Sequence, residues 1–170
     1  MQKIAKFHRV SQEQFTIDMA QHFQDLTAVE IQEAYRELEL PRRATTGSAG
    51  YDFYAPIDIV LLPDESRLIP TGIRVAIDEG WVLKCYPRSG LGFKYGLRLN
   101  NTVGIIDSDY FHSENEGHIL AKMTNPAKDN EIRIKAGEGF IQGIFVEYGI
   151  TYDDEVVQVR NGGFGSTTSQ

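Results

Sequence analysis

From Gly47 onward the chain consists of short stretches of alternating or apolar residues, each bounded by turn-forming residues. Examples are SRLIPTGIRVAI, GWVLKCYP, NEIRIKAGEG and GFIQGIFVEYGIT, which Gly, Pro, Asn and Asp separate. Alternation with a period of two is typical of β-strands, and the separating residues favour turns. No pattern long enough for a crossover helix lies between the stretches, so parallel pairing is disfavoured. The sequence therefore predicts an all-β domain, a sandwich or barrel of antiparallel strands.

The first forty residues have a different pattern, typical of two helices. Ser11 with Gln14, and Thr27 with Glu30, fit capping boxes, in which a hydroxyl and a side chain three residues later exchange hydrogen bonds with the backbone. Apolar residues then recur at helical spacing: Phe15, Met19 and Phe23, and afterwards Ile31, Ala34, Tyr35 and Leu38. We predict an N-terminal helical extension over residues 1–40. It either covers an exposed face of the β domain or forms a docking surface for a protein partner.

Composition and charge restrict the classes of function. The 170 residues fit one domain with a buried core. The formal net charge of -7 disfavours nucleic-acid binding, because affinity for that backbone requires clustered Lys and Arg. Cys85 is the only cysteine, so no disulfide forms within the chain, and no stretch has the apolar length of a signal peptide or a membrane helix. We expect a cytoplasmic protein whose phosphate-bearing ligands are small molecules.

Three stretches carry polar residues that plain strands and turns do not require. In GSAGYDFYA, Asp52 lies among apolar and small residues, where an unpaired carboxylate is costly to bury. In PRSGLGFKYG, Arg88 and Ser89 accompany three glycines, a combination that offers hydrogen-bond donors to an anion. In GEGFIQGIF, the amide of Gln142 must find partners among apolar neighbours. Taken singly, each stretch is equally compatible with a turn aspartate, an ordinary turn or a satisfied core glutamine.

A further stretch, NNTVGIIDSDYFHSENEGH, contains a candidate general base. Asp107 follows two aliphatic residues, where desolvation and a fixed orientation favour proton abstraction. Joint ligation of a divalent cation by Asp107 and Asp109 is the alternative, which we rank lower because the two do not face the same side of a strand turn. His112 and His118 are predicted to be exposed loop residues, because HSENEGH is polar throughout.

Together with the C-terminal stretch GGFGSTT, these stretches resemble, in order and spacing, the five motifs of the homotrimeric dUTPase family. The resemblance covers roughly residues 41–170 and rests on GSAGYDFYA, PRSGLGFKYG, NTVGIIDSDY, GEGFIQ and GGFGSTT. Members of the family convert dUTP to dUMP and pyrophosphate. The resemblance implies a jelly-roll β-barrel over residues 41–158, a C-terminal active-site arm over residues 159–170, and a homotrimer with active sites between subunits.

The resemblance also implies roles for individual residues. Asp107 matches the catalytic aspartate, which orients and deprotonates the water that attacks the α-phosphorus. Mg²⁺ is implied to be held by the triphosphate, with Asp52 reaching it through water, and Tyr110 to pack against deoxyribose and exclude a 2′-hydroxyl. The other implied substrate-binding residues are Arg88, Ser89, Gly90 and Gln142 at the phosphates, Asn101 and Gly104 at uracil, and Arg160, Phe164, Gly165, Ser166 and Thr167 in the arm.

The chain departs from the family pattern in two places and leaves two other functions to weigh. Arg160 lies one residue closer to Phe164 than the family's arginine does, and residues 111–118 lengthen the loop after Tyr110.

A dCTP deaminase-like enzyme of the same fold, which activates water with a glutamate, is one alternative function. A regulatory binding protein, in which the nucleotide switches a partner interaction, is the other. Asp107 and the glycine-rich tail favour the dUTPase.

Overall fold

A computed structural model of the chain describes residues 1–158, which are mostly β-sheet with three α-helices and one short 3₁₀-helix. The helices are α1 (Gln12–His22), α2 (Ala28–Glu37) and α3 (Ser89–Tyr95), and the 3₁₀-helix spans Ser108–His112. The strands are β1 (Ala5–Arg9), β2 (Tyr51–Tyr54), β3 (Ile59–Leu61), β4 (Ser66–Pro70), β5 (Ile73–Ile77), β6 (Trp81–Pro87), β7 (Arg98–Leu99), β8 (Gly104–Ile106), β9 (Leu120–Thr124), β10 (Ile132–Ile134) and β11 (Gly139–Glu147). The predicted arm residues Arg160, Phe164, Gly165, Ser166 and Thr167 lie outside the described range.

The strands of residues 1–158 form four sheets, and every pairing between them is antiparallel, which confirms the predicted strand arrangement. The largest sheet has the order β2-β11-β6-β8, and a second has the order β4-β9-β7. Strands β1 and β5 form one further pair, and β3 and β10 another. The largest sheet joins strands that are distant in sequence, and it places the first four predicted motifs side by side.

Both N-terminal helices begin where the sequence predicts, but only the second has a complete local capping box. Thr27 and Glu30 form a complete capping box, in which the Glu30 carboxylate accepts the Thr27 N–H at 2.7 Å. The hydroxyl of Ser11 accepts the N–H of Gln14 at 3.1 Å, as predicted. The N–H of Ser11, however, donates to the Glu116 carboxylate at 2.8 Å and not to Gln14. The first helix is therefore capped in part by a distant loop.

The N-terminal segment shares the core of the β domain. Strand β1, which the sequence analysis did not predict, pairs with β5. Phe15 and Met19 on α1 are fully buried, and they belong to the same apolar cluster as Ile69 of β4, Ile73 of β5 and Ile31 of α2. The helices thus cover a face of the β domain, in agreement with the first of the two interpretations.

Two features that bear on the compartment and the membrane can be described for residues 1–158. Cys85 is a free thiol in the core, and burial raises its pKa to about 12. Such a thiol stays protonated near neutral pH and is a poor nucleophile. None of the described helices is long and apolar enough to cross a membrane.

The shared core predicts that α1 contributes to the stability of the whole domain. We expect Phe15→Ala to lower the free energy of unfolding by about 3–5 kcal/mol, because the change leaves a cavity under the helix. Ile17→Ala on the same helix is the matched control, since Ile17 is 54% exposed and its loss changes stability by about 0.5 kcal/mol or less. Urea unfolding followed by the fluorescence of Trp81, the only tryptophan, measures both at one protein concentration. Equal stability of the two variants would contradict the shared core.

Candidate active site

Three of the predicted site side chains, two assigned to the phosphates and one to the metal ion, converge on or directly after neighbouring strands of the largest sheet. Asp52 on β2 and Gln142 on β11 are directly paired in the antiparallel ladder, so their side chains point to the same face. Arg88 follows β6, on the other side of β11, and its Nη2 lies 3.5 Å from Oδ2 of Asp52. Asp52 therefore lies in a strand with a charged partner, and its interpretation as a turn aspartate is wrong.

Two glycines leave the space that these side chains occupy. A Cβ atom on Gly50 would lie 2.5 Å from Oε1 of Gln142, and one on Gly139 would lie 2.8 Å from Nη1 of Arg88. Both approaches are too short for a real Cβ atom, so a larger residue would displace the end of the Gln142 amide or of the Arg88 guanidinium. The sequence analysis missed this role, although a glycine inside a strand pattern is a known sign of close approach.

Ser89 and Gly90 begin a short helix where the sequence indicated a loop or turn. Arg88 is the N-cap residue of α3, and its backbone N–H donates to the carbonyl of Phe140 at 2.9 Å. Gly96 ends the helix in the left-handed conformation, with φ 69. Ser89 and Gly90 are both exposed. The first turn of a helix carries N–H groups without intrahelical acceptors, and with the Ser89 hydroxyl it forms a set of donors for an anion.

The third motif forms a turn between β7 and β8, which belong to different sheets, beside a cavity of about 290 Å³. The turn contains Thr102, which has the left-handed φ of 66, and continues into β8. Asn101 and Gly104 line the cavity, and the rest of its wall is mostly apolar, including Leu99, Ile106, Ile119 and Ile141. Small-molecule sites occupy roughly 300–1,000 Å³ and combine apolar walls with a few polar groups. The cavity is at the lower end of that range, a size appropriate to a single base.

Asp107 directly follows β8, and Tyr110 lies three residues later in the 3₁₀-helix. Asp107 is half-buried and is the N-cap of the 3₁₀-helix, and its carbonyl accepts the N–H of Tyr110 at 3.2 Å. Tyr110 is only 4% exposed. Its hydroxyl donates to the carbonyl of His118 at 2.8 Å and accepts from Nδ2 of Asn115 at 2.9 Å. The tyrosine ring is therefore held in one position.

The prediction that His118 is exposed is wrong, whereas His112 is exposed as predicted. His118 is fully buried, and its Nε2 accepts the N–H of Gly72 at 2.7 Å. Since Nε2 accepts, Nδ1 carries the proton and donates to Oδ2 of Asp18 at 2.5 Å. Burial opposes ionisation of Asp18, but hydrogen bonds from His118 and Gln14 prevail and lower its pKa. The polar residues around His118 did not predict its burial, because its partner Asp18 lies a hundred residues away in the sequence.

The structure does not bring every predicted residue together within one chain. Strands β6 and β8 pair so that Leu83 is opposite Ile106 and Cys85 is opposite Gly104. Asp107 follows Ile106 at one end of this pairing, and Arg88 lies beyond the other end. The candidate base and the phosphate-binding side chains therefore occupy separate regions of the subunit. Nor do any three His, Cys, Asp or Glu side chains within residues 1–158 gather into a metal-binding group.

Comparison with known proteins identifies the family. The profile of the dUTPase family matches residues 36–168. The deoxyuridine 5'-triphosphate nucleotidohydrolase of Lactococcus lactis is 42% identical over 133 residues, which span 76% of this chain and 88% of that protein. The crystal structure of the Streptococcus mutans dUTPase has a TM-score of 0.64 and 32% identity over 85% of this chain and 97% of the other.

A further structure shows the same fold at lower identity. The dUTPase of Staphylococcus bacteriophage 80alpha is 20% identical, with a TM-score of 0.66 over 99% of both chains. The family profile covers most of this chain, and the Lactococcus lactis relative is covered over nearly its whole length. From these matches and the motifs assembled in the largest sheet, we conclude that the chain belongs to the dUTPase family and hydrolyses dUTP.

Proposed function

We propose that this dUTPase forms dUMP and pyrophosphate in sites shared between subunits. In each site, Asp107 of one subunit acts with the phosphate cluster of another, which we define as Asp52, Arg88 and Gln142. The observation that carries the proposal is the register of β6 and β8. Leu83 is opposite Ile106, the residue before Asp107, and Arg88 lies five positions further along the chain than Leu83. At roughly 3.4 Å per residue, five positions of an extended strand separate Leu83 from Arg88 by about 17 Å. This separation favours a site completed by a second subunit.

Asp107 is the proposed general base. Its place directly after β8 and before the 3₁₀-helix fixes the backbone on both sides, which orients the carboxylate. The carboxylate takes a proton from a water as the water attacks the α-phosphorus, and pyrophosphate leaves on the opposite side. Phosphoanhydride hydrolysis needs an in-line nucleophile and charge neutralisation, so one base and a set of donors are sufficient chemistry.

The phosphate cluster supplies the charge neutralisation. Arg88 offers a planar guanidinium that is 44% exposed, and the Gln142 amide and the donors of Ser89 and Gly90 lie nearby in sequence or sheet register. Magnesium carried by the triphosphate would neutralise further charge. Asp52 is a single carboxylate beside Arg88, which suits contact with that ion through water and not a direct protein cage.

The cavity beside the turn between β7 and β8 is the proposed uracil site. Asn101 and Gly104 line it, and their backbone groups would read the edge of the base. A site that hydrogen-bonds one edge rejects an analogue with mismatched donors and acceptors, which separates uracil from cytosine. Tyr110 is the proposed sugar gate, the residue that excludes ribose. Its ring is held by two hydrogen bonds and would not move to make room for a 2′-hydroxyl.

The homotrimer and the arm belong to the same proposal. Side chains after β11 leave large apolar surface exposed, including Ile150, Tyr152, Val156 and Val157. Exposed apolar clusters of this kind mark contacts between proteins, and a second subunit is the partner we assign. The jelly-roll barrel is the architecture we assign to the four antiparallel sheets. The arm residues proposed to close over the nucleotide are Arg160, Phe164, Gly165, Ser166 and Thr167.

The role of Asp107 predicts a large effect from a nearly isosteric change. We expect Asp107→Asn to fold and bind dUTP but to lose turnover by a factor on the order of 10² or more, because an amide does not accept the proton. Asp109→Asn is the matched control, since Asp109 is exposed and has no assigned role. Pyrophosphate release with Mg²⁺ measures both variants. A comparable loss in Asp109→Asn would instead favour joint metal ligation by the two aspartates.

The close approach of Gly139 to Arg88 predicts a second effect. We expect Gly139→Ala to lower kcat/KM for dUTP by roughly ten- to a hundredfold, because the new methyl group displaces the guanidinium from its charge-assisted bonds. Gly149→Ala is the control, since a Cβ there meets no atom within 4 Å. Steady-state kinetics of the two variants make the comparison. Wild-type kinetics in Gly139→Ala would contradict a requirement for the guanidinium in this position.

Sharing between subunits predicts complementation. Arg88→Ala and Asp107→Asn subunits are each expected to be nearly inactive alone. When they are coexpressed and mix randomly, roughly a quarter of shared sites contain both intact groups, so activity should exceed that of either parent. The measurement is dUTP turnover of the purified mixture. If each chain formed its own complete site, no mixture would recover activity.

A further inference from the structure

The longer loop after Tyr110 is bonded to the N-terminal helix α1 at two points. The Glu116 carboxylate accepts the N–H of Ser11 at 2.8 Å and its hydroxyl at 2.6 Å, so the loop caps the helix. Two residues later, the buried imidazole of His118 donates to Asp18 on the same helix. The family profile begins at residue 36, so α1 lies outside the part of the chain that defines the family.

The same loop lies directly against Tyr110. The carbonyl of His118 accepts the tyrosine hydroxyl, and Asn115 donates to that hydroxyl from the other side. At Gly117, which has φ 70, a Cβ would lie 2.6 Å from the carbonyl oxygen of Tyr110, so the loop backbone is packed onto the tyrosine backbone. A displacement of this loop therefore moves the groups that hold the ring.

The link from α1 to the loop is rigid because it is buried and fully bonded. His118 is fully buried, with one ring nitrogen bonded to the backbone of Gly72 and the other to Asp18. Asp18 also accepts from Nε2 of Gln14 at 2.9 Å, which fixes the carboxylate on the helix. Both nitrogens of the imidazole have partners, so the ring has one tautomer and one orientation. The position of the helix thus determines that of the His118 backbone.

We propose that helix α1 is a positioning element of the active site, in which Asp18 and His118 hold Tyr110 where it excludes a 2′-hydroxyl. This inference rests on the proposed role of Tyr110 as the sugar gate. Asp18 and His118 touch no substrate in this arrangement. They act through the tyrosine. Their loss therefore changes the selectivity for dUTP over UTP and not the chemistry of water attack.

The readout is the ratio of kcat/KM for dUTP to kcat/KM for UTP. In Asp18→Ala the Nδ1 proton of a buried imidazole loses its acceptor, and we expect the ratio to fall about tenfold, the order associated with one unpaired buried donor. Asp18→Asn retains an acceptor oxygen and should restore most of the ratio. Met19→Ala is the matched control, because Met19 is a fully buried neighbour on the same helix with no part in these bonds. It should lose stability and keep the ratio.

Each outcome decides the inference. If Asp18→Ala keeps the wild-type ratio while its Tm falls as in Met19→Ala, the Asp18 bond is structural only and the inference is wrong. If Asp18→Ala does not fold, Glu116→Ala tests the other contact between loop and helix. Glu116 is partly exposed, so this variant should fold. A lowered dUTP to UTP ratio in Glu116→Ala supports the inference, and an unchanged ratio overturns it.

Tyr110→Ala separates this inference from the function on which it rests. If Tyr110→Ala keeps the wild-type ratio, the sugar gate lies elsewhere and the inference is overturned with it, although dUTP hydrolysis itself stands. If Tyr110→Ala lowers the ratio and Asp18→Ala does not, only the positioning role of α1 fails. A lowered ratio in both variants, with Asp18→Asn close to wild type, is the expected result.

Discussion

The antiparallel pairing of β11 with two strands is the constraint on which the rest of the site depends. This strand lies between β2 and β6, and its hydrogen bonds to both set the positions of Asp52 and Arg88 relative to Gln142. A shift of one residue in either register would turn Gln142 or its partner to the opposite face of the sheet. Gly143 in the same strand allows Leu83 and Phe53 to pack against the backbone. Core packing and site geometry therefore depend on the same strand.

A second set of contacts connects the N-terminal helix α1 to the β8 side of the largest sheet. The cluster at Arg88 lies beyond one end of the β6 and β8 pairing, and Asp107 follows the other end. Helix α1 contacts the loop after Asp107 at two points: Asp18 bonds to His118, and the N-cap residue Ser11 bonds to Glu116. The two halves of the proposed shared site thus have different supports. The sheet itself orders the phosphate cluster, whereas a helix outside the family profile contacts the loop that follows Asp107, the proposed general base.

Local sequence patterns predicted much of this structure. They failed where a contact between residues distant in sequence determines the secondary structure or the burial of a residue. Alternation predicted the antiparallel sheets, and the caps at Ser11 and Thr27 predicted both N-terminal helices. Strand β1 was missed because AKFHR is short and is defined by its pairing with β5. Helix α3 was missed because its glycines disfavour a helix locally.

The candidate site follows the same rule. The family resemblance implied that Asp52, Arg88 and Gln142 lie near one another. The structure pairs Asp52 with Gln142 in neighbouring strands and places Arg88 within 3.5 Å of Asp52. The burial of His118 depends on Asp18, which occupies the helix position three residues after Phe15, on the apolar face. An acidic residue at such a position signals a buried partner, but it does not say which one. The need for glycine at positions 50 and 139 likewise depends on residues distant in sequence, Gln142 beside Gly50 and Arg88 beside Gly139.

The capping of Ser11 by Glu116 also bears on how the chain is made. The two residues are 105 positions apart, so α1 leaves the ribosome long before its cap exists. At about 5–20 residues per second, the interval is roughly five to twenty seconds. During that time the helix has only its local bonds, and isolated helices of this length are marginal in water. The first helix to be synthesised therefore receives its full cap only after the first eight of the eleven described strands have been translated.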